Sequence, residues 1–235
     1  MRTVAGVLEG TLGQLFGESV KVTGAGRTDA GVHATGQVVS LSTESGFPFD
    51  RLLVALRGLL PPDLSVREAV CVEKGFSARF SARGRTYVYA ILNRPQRSAL
   101  LARYAAYIAP VLDLDAMREA AAHLVGEHDF RSFAAAGPED RTLRRLTHLE
   151  IEPRGELVRA EVRADGFLRH MVRTIVGTLV ECGAGRRAAD SLPAVLAACD
   201  RRAAGPTAPP EGLYLAGVWY DGGYDSFAEP PILQA

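Results

Sequence analysis

The stretch VTGAGRTDAGVHATGQVVS, residues 22–40, sets the reading of the first half of this chain. Apolar, β-branched segments flank it, Val20 to Gly26 on one side and Gln37 to Ser42 on the other, and both read as strands. Between them glycines 24, 26 and 31 bracket a single carboxylate, Asp29, two positions after Arg27. Two strands joined by such a loop pair antiparallel. Upstream, Val4, Val7, Leu8, Leu12 and Leu15 fall at helical spacing and predict an amphipathic helix over residues 3–16. Downstream, a helix over about 50–60 is closed by Pro61-Pro62, which cannot continue it. Leu64 to Val72 then reads as another strand. The order α-β-β-α-β is a ferredoxin-like half without its first strand.

The second half reads as a longer version of the first. Strands are expected near 85–92 and 103–108, and Asp113 or Asp115 caps a helix running to Val125. A hairpin joins Thr147–Glu152 to Glu156–Ala164 through Pro153-Arg154-Gly155. The strongest helix follows, with Phe167, Leu168, Met171, Val172, Ile175, Val176, Leu179 and Val180 on one broad apolar face. A short helix at 191–199, a Gly/Pro loop at 205–212 and a strand from Leu213 to Tyr220 complete the pattern. No low-complexity linker separates the halves, so the expected fold is α+β, with one mostly antiparallel sheet shared between them. The expected division is 1–72, carrying the Asp29 loop, then 73–221, then a frayed tail over 222–235.

Composition narrows the class. The chain has 235 residues, 47% of them hydrophobic and 23% charged, which is ordinary for a soluble globular protein. Neither a signal-peptide pattern nor a run of about 18 apolar residues occurs, so no membrane association is expected. Cys71, Cys182 and Cys199 lack CxxC spacing and read as reduced core thiols of a cytoplasmic protein. Net charge is zero, but the distribution is uneven: Lys21 and Lys74 are the only lysines, and the remaining basic residues are arginine. Arg79, Arg83, Arg85, Arg94, Arg97 and Arg103 fall in a stretch without one Asp or Glu. Such a block is the footprint of a phosphate-backbone partner, and Phe76, Phe80, Tyr87 and Tyr89 interleave stacking surfaces with it.

The Asp29 loop fits neither GxGxxG nor GxxxxGK[ST], because Val32 and His33 follow Gly31 and no lysine is present. A nucleotide cofactor is therefore not expected. His33 is the one local companion for a metal, and His123 and His128 are out of phase on a helix, so no metal is expected either. From spacing alone, Asp29 is as well read as the cap of a tight turn.

What separates these readings is identity of sequence. GRTDAGVHATGQVV is very similar to the signature of the tRNA pseudouridine synthase A (TruA) family. FSARFSARGRTYVY (76–89), GEHDFRSF (126–133), GFLRHMVRTIVGTLVECGAG (166–185) and GPTAPPEGLYLAGVWY (205–220) resemble that family's later motifs in order. The resemblance runs from about Arg2 to Asp221. It implies isomerisation of uridine to pseudouridine at positions 38, 39 and 40 of the tRNA anticodon arm, without cofactor or metal, by a homodimer. It further implies that Asp29 is the essential carboxylate and nucleophile, and that Arg173 is its arginine partner. Tyr87 would stack on the flipped uracil, its hydroxyl a candidate for taking the C5 proton. Leu215 would pack against the base, Arg27 would support the displaced strand, and Arg79, Arg83 and Arg85 would hold phosphates. Small Gly177 would let another element approach the Arg173 helix closely. His33 and His170 are expected to be structural or RNA-facing.

The family's strand and loop ahead of the first helix are not in this sequence, and Arg57 stands where the family commonly has Asn. Two other readings follow. One is a catalytically impaired tRNA-binding relative that keeps the arginine surface; the other is an acid-nucleophile hydrolase unrelated to RNA. Asp29, Tyr87 and Arg173 together speak against the first, and the acid-free arginine block against the second.

Overall fold

The computed structural model describes residues 2–135, 141–223 and 225–234. By internal contacts these fall into two compact units. The first comprises residues 1–27 and 38–82, the second residues 28–37 and 83–235, so the loop carrying Asp29 groups with the second.

In the first unit, α1 spans Val4–Phe16. The Thr3 hydroxyl oxygen accepts from the Gly6 N–H at its start, and Gly17, left-handed at φ 70°, ends it. A 3-10 turn at Phe49–Arg51 leads into α2, Leu52–Leu59. Leu8, Leu12, Val20 and Leu56 form the buried centre, with Leu41, Leu64 and Val66 packed on it. The expected strands are much reduced here. Only β1, Thr23–Gly24, and β3, Val39–Ser40, pair, antiparallel and as a ladder of their own. No ladder forms over 64–72 among the described residues. Of the expected first half, residues 33–34 join the central sheet described next, while β1 and β3 form a ladder of their own.

The second unit holds the central sheet. Its strands are β2 (His33–Ala34), β4 (Ala82–Asn93), β5 (Ala106–Ile108), β6 (Gly126–Asp129), β7 (Leu143–Arg154), β8 (Leu157–Ala164), β9 (Leu213–Tyr220) and β10 (Ser226–Phe227). The main order is β10-β9-β4-β8-β7-β6, with β2 on β9 and β5 on β4. The β4–β8, β7–β8, β6–β7 and β9–β10 pairs are antiparallel, and β2–β9 and β4–β5 are parallel. The fold is thus α+β around a mostly antiparallel sheet.

Alternation along β4 and β8 assigns the two faces. Tyr89 and Ile91 of β4, with Val158, Ala160 and Val162 of β8, pack under α3 (Leu114–Ala122) and α4 (Met171–Gly183). Asp113 caps α3, accepting from the Asp115 and Ala116 N–H groups. Val88, Ala90 and Leu92 face the other way, toward Tyr214, Ala216 and Leu233. A short α5, Leu192–Ala198, follows α4. Contrary to the expected fraying, described residues of the tail pack on the sheet: Leu233 is buried, β10 pairs with β9, and the Glu229 carboxylate meets Arg159. Its apolar residues find a sheet face that local sequence does not reveal.

Candidate active site

Asp29 sits at a tight turn: its carbonyl accepts from the Val32 N–H at 3.1 Å, and Gly31 takes φ 83°. That dihedral is open to glycine at no steric cost. Past the turn, the chain becomes β2 and lies parallel to β9, His33 opposite Tyr214 and Ala34 opposite Leu215. The N–H groups of Thr35 and Gly36 both donate to the Leu215 carbonyl at 3.0 Å. A Cβ at Gly36 would lie 2.1 Å from the Ala216 carbonyl oxygen, so only glycine permits this approach. The His33 ring stacks against Tyr214 at 4.8 Å and Tyr104 at 5.5 Å, and its Nε2 lies 2.7 Å from the Arg103 carbonyl.

The arginine arrives from α4. Arg173 Nη1 donates to Asp29 Oδ2 at 3.0 Å, while its Nε donates to the Ala208 carbonyl at 2.7 Å. The Ala208 N–H returns a bond to the Arg173 carbonyl at 3.0 Å. Residues 205–210 are thereby tied to one turn of α4. Gly177 makes this possible, because a Cβ there would fall 1.8 Å from the Pro206 carbonyl oxygen. The Arg173 side chain is 13% exposed and the Asp29 side chain 38%, so the cation is set inward and the acid outward.

One contact was not legible in the sequence. His170 Nε2 lies 3.2 Å from the same Asp29 Oδ2. The residue is the N-cap of α4 and has φ 63°, left-handed backbone unusual for a side chain bearing Cβ.

Tyr87 and Tyr89 share a strand face and divide the work. Tyr89 is fully buried, and its hydroxyl donates to the Pro209 carbonyl at 2.7 Å. Tyr87 is half-buried, with the Phe167 ring edge-on at 5.0 Å. Burial pushes the Tyr87 phenol up to about 12; Arg85 opposes this and Asp29 reinforces it. Tyr87 is therefore a neutral phenol at pH 7 and no standing base.

The other expected residues are dispersed. Leu215 is wholly buried in β9. Arg83 pairs with Asp221, and Arg85 Nη1 donates to the Asp165 carbonyl at 3.3 Å. Exposed Arg27 and Arg79 belong to the first unit. The arginine block is split by the length of β4. Arg94 lies beyond its far end, paired with Glu156 at 2.6 Å, and Arg97 lies over the Tyr107 ring. Among the described residues no cluster of His, Cys, Asp and Glu could hold a metal, and no helix is long and apolar enough to cross a membrane.

The sequence model described as tRNA pseudouridine synthase fits residues 120–221. Similarity to individual proteins extends further. The tRNA pseudouridine synthase A of Acetivibrio thermocellus is 42% identical over 220 residues, covering 93% of this chain and 90% of that protein. That of Moorella thermoacetica is 46% identical, covering 93% and 89%, and that of Myxococcus xanthus is 45% identical, covering 94% and 84%. The chain belongs to the tRNA pseudouridine synthase A family.

Proposed function

We propose that this protein is an isomerase converting uridine to pseudouridine in the anticodon arm of tRNA, at positions 38, 39 and 40, with Asp29 as the reacting carboxylate. The observation that carries this reading is the Asp29–Arg173 pair. The acid is presented at a turn, with Oδ2 held by the guanidinium and Oδ1 unengaged among the described residues. An oxygen so placed can reach a sugar or base carbon, or a sugar proton, of a nucleotide flipped from its stack.

The reaction is internally balanced. The N1–C1′ bond breaks, the uracil turns while held, C5 bonds to C1′, the C5 proton leaves and N1 gains one. Tyr87, neutral at pH 7, supports it as a ring against which the base stacks and as a hydrogen-bonding phenol. Leu215 underlies the turn through β9 and backs the base site from within the fold. Arg27, Arg79, Arg83 and Arg85 supply charge to the phosphates, exchanging intramolecular partners such as Asp221 for them, so tRNA binding weakens steeply with salt. No cofactor enters, the homodimer is the working state, and the cytoplasm is the compartment this substrate implies.

Release of tritium from tRNA carrying 5-tritiated uridine tests the proposal. Release that vanishes in Asp29→Asn supports it. Salt-sensitive tRNA binding without release, by the folded wild-type chain, would instead favour a binding protein that has lost its chemistry.

A further inference from the structure

Two residues with side chains, His170 and Cys199, take positive φ among the described residues. Cys199 merely ends α5, where left-handed backbone is common. At the start of a helix it is not, because an N-cap ordinarily has extended backbone and a side chain turned back onto the helix amides. His170 does neither: its φ is 63°, and its side chain makes no capping hydrogen bond. What the conformation achieves instead is the placement of Nε2 at 3.2 Å from Asp29 Oδ2.

Arg173 cannot fix that carboxylate alone. Its Nε is committed to the Ala208 carbonyl, so it meets Asp29 through Nη1 only, at a single oxygen. A carboxylate held by one hydrogen bond can still rotate about it, swinging the other oxygen away from the reacting atom. A second donor on the same oxygen from a different direction removes that freedom. The imidazole, one helical turn before the arginine, lies 3.2 Å from that oxygen and is within reach to supply such a donor.

We infer that His170 is a positioning residue for Asp29, its strained backbone retained because it aims the ring that fixes the direction of Oδ1. This rests on Asp29 being the reacting carboxylate.

The decisive variant is His170→Gly, because glycine takes a left-handed φ freely and the substitution removes the ring without disturbing the helix start. Its melting temperature should be equal to or above that of the parent. The tritium-release kcat should fall about 10- to 100-fold, with KM for tRNA within about twofold. Added imidazole should restore part of kcat, an effect that loss of structure alone would not give. His170→Asn tolerates the same backbone but is too short to reach Asp29, and should show the same loss with no recovery in imidazole. A kcat within twofold of the parent in His170→Gly overturns the inference. So does a loss carried by KM or by melting temperature and unaffected by imidazole. Asp29→Asn run alongside separates the two levels: if it stays active, the assignment of Asp29 itself fails; if it is dead while His170→Gly is fully active, only the role of His170 fails.

Discussion

Arg173 and Arg159 both hold carboxylates within the second unit, and they hold them in opposite ways. Arg159, on the face of β8 away from the helices, is buried beside the buried Glu161. Glu229 at 2.7 Å, Glu152 at 3.5 Å and Glu150 at 4.0 Å surround it further, and Arg163 also meets Glu161. Arg159 itself and Glu161 are enclosed, and several acids share the one guanidinium. Arg173 meets one acid at one oxygen through Nη1, while its Nε donates to a backbone carbonyl. A saturated cluster serves to hold the tail and the strands in register, whereas an undersaturated one keeps acceptor capacity for another molecule. The number of partners per charge, rather than the presence of an ion pair, separates scaffold from site.

The contrast breaks most sharply at Asp29. Asp29→Asn should lower tritium release by about 10³-fold or more, some 4 kcal/mol of barrier, with melting temperature unchanged, because no core contact is lost. Arg159→Met should do the reverse. It leaves the buried Glu161 carboxylate with the part-exposed Arg163 as its remaining arginine and should cost about 3 kcal/mol in urea unfolding, with specific activity of the folded protein retained. If the cluster is only scaffold, adding Glu161→Leu to Arg159→Met should recover most of that loss. Gly177→Ala sits between the two. Its methyl must displace Pro206 and with it Ala208, the other anchor of Arg173, so about 1–3 kcal/mol of stability and a measurable share of kcat should fall together.

The smallest effect concerns protons. Burial raises the phenols of Tyr87 and Tyr220 to about 12, so the folded state favours the neutral form. Their contribution to stability is fully present below about pH 10, the ordinary phenol value, and declines as pH rises from there through 12. Phenolate absorbance of the native protein should show these two tyrosines titrating late. Ionisation of every tyrosine near 10 would mean that the rings are not enclosed as described.

Much of this was legible in the sequence where local pattern and fold agree. The period of Met171, Val172, Ile175, Val176 and Leu179 marked α4, and Gly177 on that helix correctly implied a close neighbour. Alternation along residues 85–92 placed Tyr87 and Tyr89 on one face, though only the depth of burial shows which of them is packing. What could not be read depends on partners distant in sequence. The segment 64–72 has strand composition but no ladder, and the tail is short yet docks through Leu233 and Glu229. The strand expected near 85–92 extends in the structure to twelve residues, Ala82–Asn93, which sets Arg83 and Arg94 at its two ends. His170 was passed over because its conformation is imposed by tertiary contact, and nothing in FLRHMVR signals a left-handed residue at a helix start.

The grouping of residues 28–37 with 83–235, while their flanks group elsewhere, has a consequence for anyone who would divide the protein. A cut between Ala82 and Arg83 respects the longest contact boundary yet puts Asp29 on one polypeptide and Tyr87, His170 and Arg173 on the other. On the proposed assignment neither fragment carries the whole set, and recombination requires ten residues of the first, among them His33 and Ala34, to dock on β9 of the second, so activity restored by mixing the halves would report that they had met.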